Sequence, residues 1–175
     1  ARTVGGTTVI NSAIVVRTPG DIFSQWKTEY GVGGDEMAEA VWGYQDVIER
    51  ELNVTEIPPE ARGRTNDLAF AASQAMGIEG HIIHRNVTDC EASGQCLQGC
   101  RSRRKQSTNL NYVPEVLRRG GHVLSSAPVQ RIMLEGTRAV GVTGHFEHPV
   151  TRKKGSEFVV RAKKAVVLAA SVTHS

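Results

Sequence analysis

The hydrophobic pattern of this chain changes its period at Gly120-Gly121, and that change limits the possible folds more than any other feature. Before this point, apolar residues recur every three or four positions, as they do on one face of a helix. After it, short runs rich in β-branched residues alternate with turn residues, as they do in strands. We therefore predict helices first and a β-meander after them. The clearest helical face lies in residues 35–52 and consists of Met37, Val41, Tyr44, Ile48 and Leu52.

Four helices are predicted from their periodicity and from their start and stop signals. Asp21 is a candidate N-cap for the first helix, while Gly31 and Gly77 are candidate stops for the first and third. Pro114 is compatible with the fourth helix because it falls in the first turn. The predicted helices span residues 21–30, 35–52, 65–76 and 111–119, and a short strand is predicted at 80–87.

The pattern after residue 121 predicts the main sheet. Its strands are expected at residues 122–126, 129–134, 139–146 and 158–162, paired as an antiparallel meander. The last apolar run, residues 165–170, is continuous, which suits a strand buried on both faces of a parallel sheet. The predicted fold class is therefore α/β, with helices followed by an antiparallel β-meander and one buried parallel strand.

Composition excludes several classes of protein. The chain has 175 residues, of which 39% are apolar and 22% charged, so it is not a disordered tail, a collagen-like repeat or a coiled coil. No apolar run approaches the roughly 20 residues that a membrane-spanning helix needs. The net charge is +3, and aromatic residues make up only 5% of the chain, so stacking platforms for nucleic-acid bases are scarce.

Residues 5–11 carry the first candidate site, with the sequence GGTTVIN. Paired glycines allow a positive φ and a close approach of the backbone to a ligand, and the hydroxyl groups beyond them can meet phosphate oxygens. The same residues also fit an ordinary glycine turn. Both interpretations stay open on this string alone.

Three cysteines form the second candidate site. If two of the three cysteines form a disulfide bond, one thiol is left over, and a zinc or iron–sulfur site needs a fourth ligand. The three are Cys90, Cys96 and Cys100. His81 or His84 could supply it, but the spacing lacks a CxxC pair, which favours structural thiols packed under a glycine-rich loop.

An alternative function uses these thiols differently. A non-enzymatic binding module could hold a metal through Cys90, Cys96 and Cys100 and contact nucleic acid or an acidic partner through the basic run Arg101–Lys105. A metal centre and a cationic surface would then be the functional features.

Taken together and in order, the strings of this chain resemble the FAD-binding part of the glucose–methanol–choline (GMC) oxidoreductases over essentially all 175 residues. Residues 5–11 resemble the family's GG-[ST]-[ST]-x-x-N turn. Residues 85–100 and 105–114 resemble the Cys-bearing segment and the K-Q-S…Y-[LV]-P helix entry of a branch that includes long-chain alcohol oxidases. Residues 129–142 and 162–170 resemble the family's meander and returning strand.

The resemblance implies part of a Rossmann-like FAD-binding domain in a flavoprotein that acts on the CH–OH group of a small-molecule alcohol. In that family the alcohol carbon gives a hydride to FAD while a histidine base takes the hydroxyl proton. By the same resemblance, Gly5, Gly6, Thr7 and Asn11 would lie along the flavin and its phosphates. Val129 would meet the adenine end through its backbone. No nucleic acid is expected as a partner.

Two family features have no match in this sequence. The strand–GxGxxG–helix turn is absent, and none of the six histidines matches the family's catalytic motif, so no catalytic residue is assigned. We therefore expect residues 1–175 to be one partial FAD-binding domain, truncated at both ends, which alone does not turn over alcohols and binds FAD weakly or not at all. The odd number of cysteines leaves the compartment open, with the cytoplasm as the working expectation.

The resemblance also bears on how the flavin is held. Some members of the family attach FAD through a histidine placed immediately before the asparagine of the glycine turn. Ile10 occupies that position here, and its aliphatic side chain has no nucleophilic nitrogen. Non-covalent FAD is therefore expected.

Overall fold

The computed structural model describes residues 2–171 of the chain. The chain divides into two units, Ala1–His122 and Val123–Ser175. Within the described residues, the first unit holds the α-helices and a small sheet, and the second holds a separate antiparallel sheet. The predicted order of helices before a meander is confirmed.

The four predicted helices lie close to their expected positions, and the described residues contain one further short helix, at Pro59–Arg62, that was not predicted. The stop at Gly31 is confirmed, since this residue has φ of 69° and its N–H donates to the Lys27 carbonyl. The predicted cap is wrong, because the first helix begins at Gly20, and the Asp21 carboxylate accepts from the Ile22 N–H within the first turn. The helices are α1 (Gly20–Tyr30), α2 (Asp35–Glu51), α3 (Pro59–Arg62), α4 (Arg64–Ala75) and α5 (Tyr112–Arg118).

Helices α1 and α2 pack against each other through aromatic side chains. Phe23 is buried, and its ring meets Trp26 edge-on at a centroid distance of 5.4 Å and Trp42 at 5.8 Å. The Trp42 indole N–H donates to the Thr18 carbonyl at 3.1 Å, so its polar atom is satisfied. This cluster forms one small core of the first unit.

The sheet of the first unit has three short antiparallel strands in the order β1-β3-β2. They are β1 (Ile14–Val15), β2 (Val54–Glu56) and β3 (His84–Asn86). The predicted strand at 80–87 is thus shorter than expected, because only three of its residues find partners in β1 and β2.

The sheet of the second unit is the predicted meander. Its strands, paired in chain order, are β4 (Val129–Glu135), β5 (Arg138–Glu147) and β6 (Lys154–Arg161). Phe146 and Phe158 pack on it with ring centroids 5.1 Å apart. The strand predicted at 122–126 is wrong, because that segment is turn and coil, although the Glu147 N–H still donates to the Ser126 carbonyl at 2.8 Å.

The buried parallel strand predicted at 165–170 is also wrong. These residues form no strand, and Val167 and Leu168 are 87% and 54% exposed. A parallel strand needs neighbours whose hydrogen-bonding groups it completes. Both sheets among residues 2–171 are antiparallel, and neither pairs with this run. Apolar character alone therefore does not make it a strand.

Candidate functional site

The glycine turn predicted to contact the cofactor is well formed in the first unit. Gly5 has φ of 96°, and a single 3₁₀ turn follows at Gly6–Val9. The Gly6 N–H donates to the Thr3 carbonyl at 2.9 Å, and the Ile10 N–H donates to the Thr7 carbonyl at 3.2 Å. The backbone of this turn is therefore fixed locally.

The two glycines of the turn have different surroundings. A Cβ added to Gly5 would lie 2.7 Å from Val9 Cγ2 and 3.0 Å from Asn109 Cβ, so this glycine faces the protein interior. A Cβ added to Gly6 would have no described atom within 4 Å. The Gly6 side of the turn is consequently the side that a ligand can approach.

The two threonines of the turn also divide their roles. The Thr8 hydroxyl donates to the Gly5 carbonyl at 2.5 Å and accepts from the Thr108 N–H at 3.1 Å, so it is used inside the protein. Thr7 is exposed, and no hydrogen bond of its hydroxyl is found among the described residues. Of the two, Thr7 is the hydroxyl that can serve a ligand.

Asn11 shapes the exit from the turn. Its Oδ1 accepts from the Ala13 N–H at 3.0 Å, which is an Asx-type turn. Ala13 is fully buried with φ of 64°, and the Asn11 side chain itself lies on the surface. The structure therefore brings together four of the five predicted cofactor residues, Gly5, Gly6, Thr7 and Asn11. Val129 belongs to the second unit, where it opens β4 opposite Gly144 and is 55% exposed.

The residue that sequence reasoning missed is Lys105. The basic run Arg101–Lys105 favours an exposed position for this residue, but the structure buries it completely. Its ammonium donates to three carbonyl oxygens, those of Val9 at 2.6 Å, Asn11 at 2.9 Å and Cys96 at 2.7 Å. Burial lowers the pKa of Lys105, and electrostatic interactions with Cys96 and Cys100 act in the opposite direction without cancelling it.

The basic run Arg101–Lys105 is therefore not the continuous cationic surface that the alternative function requires. Lys105 lies inside the protein, and Arg104 forms an ion pair with Glu91 at 2.7 Å, which raises the pKa of Arg104. Nucleic-acid binding depends mainly on cations that face the phosphates. With Lys105 buried and Arg104 paired with Glu91, the run offers few such cations.

The three cysteines are free thiols that line one small cavity of about 80 Å³. Arg85 Nη2 donates to Cys96 Sγ at 3.0 Å, and the Lys105 N–H donates to Cys100 Sγ at 3.3 Å. Burial acts to raise the pKa of Cys100, but hydrogen bonds from the Lys105 N–H and the Ser102 hydroxyl outweigh it, and the pKa is lowered. Within residues 2–171, no group of three or more His, Cys, Asp or Glu side chains is arranged to hold a metal ion.

The histidines and the helices add two observations. His174 lies outside the described residues, and none of the other five lies in the glycine turn. Among the helices that the structure describes, none is both long enough and apolar enough to cross a bilayer.

Comparison with known proteins gives one consistent result. A family model described as GMC oxidoreductase matches residues 1–175. An uncharacterized GMC-type oxidoreductase of Mycobacterium tuberculosis is 33% identical over 99% of this chain and 26% of its own length. A second uncharacterized GMC-type oxidoreductase, from Sinorhizobium fredii, is 30% identical over 83% of the chain and 28% of its own length.

A long-chain-alcohol oxidase of Arabidopsis thaliana is 25% identical over 97% of the chain and 23% of its own length. The chain thus spans about a quarter of the length of these relatives. No solved structure matches it.

Proposed function

This chain belongs to the GMC oxidoreductase family, and on that premise we propose that its glycine turn forms part of the FAD site of an enzyme that oxidises alcohols. The observation that carries the proposal is the contrast between Gly5 and Gly6. One glycine is packed against the protein, while the other presents bare backbone to open space. A turn built in this way lets a planar or phosphate-bearing ligand come close to the main chain.

The residues present fit FAD by their chemistry. Gly6 leaves room beside the backbone, and the exposed Thr7 hydroxyl can donate to a phosphate oxygen. Ile10, which is 44% exposed, adds apolar surface next to these polar groups. When bound, FAD would supply the acceptor for the hydride of the alcohol carbon. These residues would hold and orient the cofactor, and no residue of this chain is assigned to the proton transfer.

The substrate class follows from the relatives only as part of this proposal. One relative bears the name long-chain-alcohol oxidase, so long-chain aliphatic alcohols are the first substrates to test. The proposed reaction moves a hydride from the carbon and a proton from the hydroxyl group of the alcohol, which becomes a carbonyl compound.

The test is flavin binding by the full-length protein and its variants. The purified protein should show flavin absorption in the blue and near-ultraviolet, and adding an alcohol without oxygen should bleach the blue band. Gly6→Ala should weaken FAD binding by about tenfold, a free-energy loss of about 1.4 kcal/mol.

Gly77→Ala is the matched control for this variant. Gly77 has a similar φ of 65° and equally open surroundings, but it lies outside the turn. The control should bind FAD as wild type does. A protein without flavin, or equal FAD affinities for the two variants, would contradict the proposal.

A further inference from the structure

A buried cation lies directly behind the glycine turn. Lys105 has no exposed surface, and its ammonium makes three hydrogen bonds, all to backbone carbonyl oxygens. Two of these carbonyls belong to Val9 and Asn11, in the turn, and the third belongs to Cys96, in the cysteine segment. One side chain therefore joins two segments that are far apart in sequence.

A second cation completes this arrangement. The Arg85 guanidinium donates to the Ser12 carbonyl and to Cys96 Sγ. Lys105 and Arg85 together therefore bind three carbonyls of the turn and its exit, those of Val9, Asn11 and Ser12. In a trans peptide the carbonyl and the following N–H point in opposite directions. The N–H that follows each of these carbonyls is therefore turned away from the cation that holds it.

We propose that Lys105 is a positioning residue for the cofactor, which draws the carbonyl oxygens of the glycine turn away from an anionic ligand and places a positive charge beneath it. The inference rests on the proposed function, since the ligand it serves is the phosphate-bearing flavin. Carbonyl oxygens facing a diphosphate would repel it, whereas a cation in a site of low dielectric attracts it.

An uncharged side chain of similar size could fill the space that Lys105 occupies, and this makes the inference testable. A methionine has a similar length and volume but carries no charge and no N–H donor. A buried cation that only packs could be replaced by an apolar side chain at little cost. A cation that orients three carbonyls could not be replaced at little cost, because each carbonyl would be left without its hydrogen-bond donor.

The first experiment compares Lys105→Met with wild type in the full-length protein, by FAD affinity and by unfolding in urea. We expect FAD affinity to fall by about tenfold or more. Phe23→Leu is the control for a general loss of stability, because Phe23 is buried in the α1–α2 core and makes its ring contacts there. Unchanged FAD affinity in Lys105→Met, or an equal affinity loss in a Phe23 variant of equal stability, would overturn the inference.

The second experiment keeps the inference testable if Lys105→Met does not fold. Lys105→Ala is prepared in the presence of propylammonium, which replaces the atoms from Cγ to Nζ. We expect propylammonium to restore FAD binding, and tetramethylammonium, which has the same charge but no N–H, to leave it impaired. Equal effects of the two ions, or none from either, would overturn the role of the donated hydrogen bonds.

The third measurement separates this inference from the proposed function. Hydrogen exchange of the Ile10 and Ala13 amides reports on the turn whether or not flavin is bound. We expect both amides to exchange faster in Lys105→Met than in wild type. If the wild-type protein binds no flavin but its two amides still exchange more slowly than those of Lys105→Met, the proposed function and the role of Lys105 toward FAD are refuted. The positioning of the turn by Lys105 would still stand. Equal exchange would refute the positioning itself.

Discussion

The hydroxyl groups of Thr8 and Thr108 lie 3.0 Å apart, although a hundred residues separate them in sequence. Both hydroxyls donate to one acceptor, the carbonyl of Gly5, at 2.5 and 3.0 Å, and the Thr108 N–H donates back to Thr8 Oγ1. The segment after Lys105 therefore supports the glycine turn from one side, while the ammonium of Lys105 supports it from another.

We expect this shared acceptor to couple the two threonines. Thr108→Val should lower the free energy of unfolding by about 1 kcal/mol, which is typical of one hydrogen bond, and Thr8→Val by about 2 kcal/mol, because its hydroxyl makes two. The double variant should lose less than the sum, by about 0.5 kcal/mol or more, because both changes act on one carbonyl. Urea unfolding of the wild type, the two single variants and the double variant measures this coupling. Thr7→Val, which removes an exposed hydroxyl, should change stability by less than about 0.5 kcal/mol, and strict additivity of the pair would contradict the coupling.

Gly5→Ala tests the packing behind the turn. The new Cβ would lie 2.7 Å from Val9 Cγ2 in a left-handed backbone conformation, so we expect a stability loss of about 2–4 kcal/mol. Gly31→Ala is the control, since Gly31 also has a positive φ but has open space around it, and it should cost only about 1–2 kcal/mol. Thermal or urea unfolding compares them, and equal losses would show that contact with Val9 adds nothing.

The helices could be predicted because their signals are local. The start at Asp35 and the stops at Gly31 and Gly77 depend on residues within a few positions, and the structure reproduces them. The meander was equally accessible, since its turns and alternation lie within one continuous segment. Local periodicity is enough where each element pairs with its neighbour in sequence.

The remaining errors have a different physical origin. The run at 165–170 has the composition of a buried strand, but a strand exists only where another strand pairs with it. Lys105 belongs to a basic run, which favours a surface position, but its burial depends on hydrogen bonds that its ammonium donates to the carbonyl oxygens of Val9, Asn11 and Cys96. No local signal marks such a position. The different roles of the Thr7 and Thr8 hydroxyls could not be predicted either, because they also depend on contacts with residues distant in sequence.

The hydroxyl group of Tyr112 should lose its proton at a higher pH than an ordinary tyrosine does. Its hydroxyl donates to Glu51 Oε2 at 2.6 Å, and burial together with this hydrogen bond raises the pKa of Tyr112 from 10.0 to about 12. Because the folded state binds this proton more tightly, the stabilisation is fully present below pH 10 and is lost as the pH rises through about 12. Ultraviolet titration of phenolate absorption should show a late component that disappears in Tyr112→Phe. Glu51→Gln keeps an acceptor without its charge and should move that component to lower pH, and a late component unchanged by both variants would contradict the assignment.

The three thiols should differ in reactivity. Cys100 is only 6% exposed, whereas Cys90 and Cys96 are partly exposed. The lowered pKa of Cys100 increases its thiolate fraction, but a reagent must reach the sulfur before that fraction matters. Under native conditions, alkylation by iodoacetamide followed by mass spectrometry should therefore label Cys100 last. All three should react at similar rates in urea, and early labelling of Cys100 in the native protein would contradict its burial.

Ile10 determines how FAD is expected to be retained. Its side chain is partly exposed and immediately precedes Asn11, at the position where some family members carry a histidine that bonds to the flavin. An aliphatic carbon has no lone pair to form that bond, and the turn from Gly5 to Asn11 contains no cysteine or histidine. FAD should therefore be held there by non-covalent contacts alone. Acid precipitation of the full-length flavin-loaded protein should leave the yellow colour in the supernatant. Colour that stays in the washed pellet, with a flavin-bearing peptide from residues 5–11 after digestion, would show a covalent bond and contradict this prediction.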